Sequence, residues 1–188
     1  MNVLPAVVEW FRDAPLPQFM PDPVIVTGGT GLLREFFAIV AGAGHAGQLW
    51  IAVPFVHVAG RDLAVLKMLP HQRIDLSVVT SGRAQAAQLM AEIGELPWRS
   101  LQARTHARLH AKLYAFADAR GGGACLIGSH NLTSGGARTN SEAGVLFRTS
   151  GDPQVSAIVN GCCEQIARLM NESELFRDTL RWAASPAQ

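Results

Sequence analysis

Short apolar runs alternate with helical-period stripes through the first half of this chain, and that alternation constrains the fold most. Val24–Val26 reads as a strand. Leu32, Leu33, Phe36, Phe37 and Val40 follow at helical spacing, with Gly42 and Gly44 as the stop. Leu49–Val56 reads as a buried strand that should end near Pro54, and Ile74–Val79 as another. Leu63, Leu66 and Leu69 mark a short helix between those strands, and Ala86, Leu89, Met90 and Ile93 mark the next one. This succession predicts an α/β fold with a mixed, largely parallel central sheet and helices on both faces.

The pattern changes in the second half. Leu109–Ala117 and Ala124–Leu132 read as strands, joined by a Gly-rich connector from Asp118 to Gly123 that suits a hairpin. Ala143–Arg148 is a further strand. Val155, Ile158, Val159, Cys162, Cys163, Ile166, Leu169 and Met170 form an amphipathic helix. Asn171, with Glu174 three residues on, resembles a capping box for a final helix through Trp182. No repeat, low-complexity tract or linker divides the chain. One domain over 1–188 is expected, with 1–20 as an N-terminal arm.

Composition narrows the function classes. With 188 residues, 48% apolar and 16% charged, the chain can bury a full core and is not a disordered segment. Pro, Gly, His or a charge interrupts every apolar run before membrane-spanning length. The first residues lack a basic region followed by an apolar one, so no secretory leader is expected. Cys125, Cys162 and Cys163 are an odd count with two adjacent members. They suggest core packing in a reducing cytoplasm rather than a disulfide framework.

The chemistry gathers in one region. His110 and Lys112 stand two apart in a strand-like run, so they would share a face. Ser129 and Asn131 show the same spacing in the next run, and Glu142 follows. An imidazole nucleophile, a fixed cation and small polar groups suit phosphoryl chemistry without a metal. Lysine is rare here: Lys67 and Lys112 are the only two, against fourteen arginines. Singly, each residue has a plainer reading. His110 could be a half-buried strand histidine, Lys112 a solvated one, and Gly128-Ser129-His130-Asn131 a turn. From Arg99 to Arg148 there are seven cations and two acids, so that segment is +5 and the remainder −4, for the net +1 of the chain. A basic field over a cleft would attract phosphate esters, although a solvated Arg-rich surface would look the same.

Taken together, His110-Ala111-Lys112, Gly128-Ser129-His130-Asn131 and Glu142 resemble the HKD motif of the phospholipase D superfamily. The context Ile127-Gly128-Ser129-His130-Asn131-Leu132-Thr133, followed by Asn140-Ser141-Glu142, looks most like its single-motif bacterial nuclease branch. One departure stands out. The family places a mainly structural Asp seven residues after the His, where this chain has Ala117 and then Asp118.

The resemblance implies a phosphodiesterase without cofactor or metal. His110 would attack phosphorus to form a phosphohistidine. Glu142 would fix the imidazole tautomer, Lys112 and Asn131 would hold the non-bridging oxygens, and Ser129 would support the phosphate pocket. In-line displacement leaves the leaving group on the far side of phosphorus. Family members meet this with two motifs, so a one-motif chain implies a homodimer with one shared site. The expected substrate is DNA or RNA. A phospholipid-acting enzyme is the second reading, and a non-catalytic nucleic-acid-binding or assembly subunit of a restriction or phage-defence complex is the third.

Other residues carry weaker signals. His106 and Arg108 share the parity of His110 and could extend a substrate groove. Tyr114 and Phe116 read as core or groove wall. Thr27–Gly31 could cradle a phosphate, though a tight turn is the plainer reading. His57 falls at a strand's carboxyl end, where open α/β sheets bind ligands. His45, His57, His71 and His106 show no metal-ligand spacing.

Overall fold

The computed structural model describes residues 24–27, 31–58, 66–67, 69–133, 135–139, 142–149 and 153–176. The elements in chain order are β1 (Val24–Thr27), α1 (Leu32–Gly42), β2 (Gly47–Ala52), β3 (Ile74–Thr80) and α2 (Arg83–Ile93). Then come β4 (Leu101–Thr105), β5 (Leu113–Asp118), β6 (Gly123–Gly128), β7 (Ala143–Arg148), α3 (Pro153–Asn171) and β8 (Glu174–Leu175). A 3-10 turn at Leu69–Gln72 precedes β3, and a π turn at Gly135–Thr139 precedes β7.

The strands form one sheet in the order β1-β7-β6-β5-β2-β3-β4-β8. Period-two alternation sends successive side chains to opposite cores. Tyr114, Phe116, Leu126, Leu49 and Ile51 join α1 and α2 on one face. Ala115, Cys125, Ala52 and Val79 join Val155, Val159, Cys162 and Ile166 of α3 on the other. Phe36 and Phe37 of α1 meet edge-on at 5.5 Å between ring centres, and both rings lie against Tyr114 at 5.7 and 6.2 Å. Each such buried ring contributes about 1.5–3 kcal/mol of apolar burial.

The α/β class and the helices on both faces are as the sequence implies, but the balance of strand directions differs. Only β2–β3 and β3–β4 are parallel, while the other five pairings are antiparallel. The hairpin β5–β6 reverses direction through a short turn, and β7 returns antiparallel to β6 after a longer loop. They insert beside β2, so the parallel unit is one half of the sheet.

Element boundaries also shift. The strand expected over Leu109–Ala117 begins at Leu113 and runs to Asp118, and that expected over Ala124–Leu132 covers Gly123–Gly128. The β2–β5 ladder ends at Ala52 opposite Leu113, because β2 runs into Pro54, which has no N–H to donate. His110 and Lys112 therefore lie just before a strand, not within it. β4 was not legible, since only Ala103 of its five side chains is buried. Asn171 does not cap a further helix. It ends α3, and Glu174–Leu175 pairs with Arg104–Thr105, covering the open edge of β4. Residues 1–20, Gly28–Thr30, Leu63, Asn140–Ser141 and Trp182 lie outside the described residues.

The registers bring the carboxyl ends of β2, β3, β4 and β6 to one end of the sheet, together with the amino ends of β5 and β7. That end carries the candidate site. Among the described residues no helix is long and apolar enough to cross a membrane.

Candidate active site

Three strand ends build the site. Gly128 N–H donates to the Lys112 carbonyl at 3.2 Å, extending the β5–β6 ladder by one rung. Ser129 N–H then donates to the Ala143 carbonyl at 2.9 Å. The three segments bearing Lys112, Ser129 and Glu142 thus run side by side. The Ser129 hydroxyl donates to the Glu142 carboxylate and accepts from Ala143 N–H at 3.0 Å. Glu142 is buried, at 7% exposure. A carboxylate held there by a hydroxyl is fixed in position, which a free surface acid is not.

His110 is exposed, and its carbonyl accepts from Lys112 Nζ at 3.2 Å. The lysine ammonium therefore folds back over the segment carrying the imidazole. Asn131 is half-buried, and its Oδ1 is buried without a hydrogen-bond partner among the described residues. Its backbone is closely packed: a Cβ on Gly136 would fall 2.4 Å from the Asn131 carbonyl, so only glycine lets the following turn approach. Leu132 bridges to Val56, and its carbonyl accepts from His57 N–H at 2.7 Å, tying the segment to the end of β2.

His106 and Arg108 follow β4 at the same end of the sheet, but none of His110, Lys112, Ser129, Asn131 and Glu142 lines their cavity. A turn with Leu109 N–H donating to the His106 carbonyl at 2.9 Å leads the chain from β4 to His110. Both residues line a cavity of about 540 Å³ with Ser81, Arg83, Thr105 and Glu172. The His57 side chain turns away from the site: its Nδ1 is 3.0 Å from Glu92 and also meets Gln88, so it fastens the β2 loop to α2. Tyr114 and Phe116 are core. Cys125 and Cys162 are buried free thiols, and burial pushes the Cys163 thiol up to about 11.

Asp118 stands at the far end of β5. Its Oδ1 accepts from Arg120 N–H and Gly122 N–H, each at 2.8 Å, and so closes the hairpin turn, where Gly121 sits at φ +85°. Five strand residues separate it from Lys112, roughly 20 Å at strand rise. The basic segment is likewise divided between the two ends. Arg99 pairs with Asp75 before β4, Arg120 lies in the hairpin turn, and Arg148 ends β7, all away from the site. Arg104, Arg108 and Lys112 belong to the site end. The field there is weaker than the count in the sequence implies.

No sequence signal singles out His130. It is 1% exposed, with both ring nitrogens lacking partners among the described residues. Burial holds its imidazole below the ordinary histidine value, against an opposing pull from Glu142. Its carbonyl accepts the Tyr114 hydroxyl at 3.1 Å. Burial, then Glu142, push that phenol well above its usual range, so it remains a donor. The nearest trace of this enclosure in the chain is the glycine at 128 followed by another at 144, one on each of two strands.

Solved structures share this architecture. Nuc, a phospholipase D family member from Salmonella typhimurium, is similar at 19% identity with a TM-score of 0.51, over 75% of this chain and 90% of that one. NucT from Helicobacter pylori is similar at 10% identity with a TM-score of 0.51, over 76% of this chain and 92% of that one. Phosphatidylserine synthase from Haemophilus influenzae is similar at 14% identity with a TM-score of 0.52, over 82% of this chain and 39% of that one. At these identities the likeness is one of fold. No protein-family model matches the chain, and no curated protein matches it.

Proposed function

We propose that this chain is a phosphodiesterase of the phospholipase D type, a nuclease that cleaves DNA or RNA through a phosphohistidine. The observation that carries the reading is the register of β5, β6 and β7. It draws Lys112, Ser129 and Glu142 together from positions thirty residues apart. The similarity in fold and length to Nuc and NucT supports it.

In this scheme neutral His110 attacks phosphorus, and the bond to the leaving oxygen breaks in line. Lys112 and Asn131 hold the non-bridging oxygens as charge develops. Water then hydrolyses the phosphohistidine. Glu142, held by Ser129, orients the nucleophile. His106 and Arg108 receive the adjoining phosphates, since their cavity opens at the same sheet end. Electrophilic stabilisation comes from the lysine and the amide, so no metal is required. The acid that protonates the leaving oxygen is His110 of a second copy, in a site shared across a two-fold axis. A second reading, a phospholipid hydrolase or transferase, is favoured by the similarity to phosphatidylserine synthase alone.

The test is cleavage of single-stranded DNA, duplex DNA, RNA and phosphatidylcholine in EDTA, beside His110→Ala. Nucleic-acid cleavage lost in the variant is the expected result. Choline release would move the assignment to the lipid reading, and binding without turnover to a non-catalytic assembly role.

A further inference from the structure

His130 does not reach the substrate in the scheme above, yet its surroundings are specific. Neither of its ring nitrogens has a partner among the described residues, and the ring is almost wholly enclosed. A phenyl or leucyl side chain would fill the space without forgoing hydrogen bonds. The two strands leave room for it. Gly128 and Gly144 face each other across the β6–β7 pair, and an added Cβ would stand 3.1 Å from His130 Nδ1 at the first and 3.2 Å from its Cε1 at the second. The Tyr114 hydroxyl holds its carbonyl from the core side. Its chain neighbours on either side are Ser129 and Asn131.

Packing alone does not account for an imidazole kept in this position. Among the described residues two ionisable groups act on it electrostatically or touch it. One is the buried Glu142, which precedes β7. The other is Tyr114 of β5, whose phenol stays protonated and adds no charge.

We propose that His130 is a positioning residue and an acid brake: its uncharged ring seats the Ser129–Asn131 segment, and its protonated ring draws the Glu142 carboxylate away from Ser129. This rests on the phosphodiester site proposed above. No bond is made or broken at His130, and the change is one proton taken from solvent. At neutral pH the ring is uncharged, Glu142 holds Ser129, and the site is set. On acidification the cation forms beside the one buried carboxylate that the site uses, and the site loosens.

The experiment compares wild type, His130→Phe and His130→Gln in the hydrolysis of bis(p-nitrophenyl) phosphate between about pH 5 and pH 8. His130→Phe should keep or raise the thermal midpoint, hold kcat near pH 8 within about twofold of wild type because a phenyl ring fills the same space, and displace the acid limb of the profile. His130→Gln should likewise lose the wild-type acid limb, and it carries the kinetic test if the Phe variant does not fold. A wild-type acid limb in either variant overturns the proposal. If wild type hydrolyses no phosphodiester, the functional reading fails by itself, and ring-nitrogen NMR decides the His130 assignment. Glu142→Gln should move the His130 titration to lower pH. A titration that does not move overturns the coupling.

Discussion

His110 is exposed while Glu142 and His130 are buried, and this contrast governs what substitutions there should do. An exposed side chain contributes little to stability, so its removal separates chemistry from folding. His110→Ala should cut turnover by about a thousandfold or more, with the thermal midpoint unchanged. Lys112→Ala should cost about a hundredfold in kcat, because it removes a fixed cation from the developing charge. A steady-state comparison at saturating substrate checks both. His130 makes a separate prediction for stability. Its folded value lies below the ordinary one, so the unfolded chain binds the proton more readily. Its contribution is present above the unfolded value and is lost as pH falls below about 6.5. The fall in thermal midpoint between about pH 7 and pH 5 should be smaller in His130→Phe than in wild type. An equal fall in both would refute it.

The β5–β6 hairpin is the element that delivers the site, and its turn lies at the opposite end from the chemistry. Asp118 accepts two backbone N–H groups there. Asp118→Ala should lower unfolding free energy by about 1–2 kcal/mol and leave kcat unaltered, as urea melts and initial rates would show. This element was legible because Gly-rich turn chemistry sat between two apolar runs, and β7 was legible to the residue. Its ends were not. Where β5 starts depends on Ala52 at the end of β2 and on Pro54 beyond it, which are remote in sequence. β4 and β8 were illegible for a related reason. Their five and two residues carry almost no apolar signal, and they are strands only because an edge pairs with them. The capping box at Asn171 lost to that edge pairing.

For the whole molecule, the proposed mechanism needs a second imidazole facing His110 across the phosphorus, and a second copy of the chain supplies it. The protein should sediment as a dimer, and mixing in excess His110→Ala subunits should depress activity per wild-type subunit as mixed dimers form. Full activity from a sedimenting monomer would exclude a shared site. Turnover should also persist in EDTA, and complete loss in chelator would assign the charge stabilisation to a metal instead of Lys112. Binding should weaken with salt less steeply than seven basic residues imply, because Arg99, Arg120 and Arg148 face the wrong end of the sheet.

The linear chain by itself determined the α/β class and the two-sided helical cover, and it supplied His110, Lys112, Ser129, Asn131 and Glu142 as the candidate set on which the proposed function rests. Those follow from local periodicity and from residue types that few other chemistries combine. Tertiary structure decided the strand directions, the split of the basic charge, the Ser129–Glu142 contact and the enclosure of His130. Each depends on which strands become neighbours. That choice is made by burying two apolar faces at once and satisfying open sheet edges, and no short window of sequence contains it.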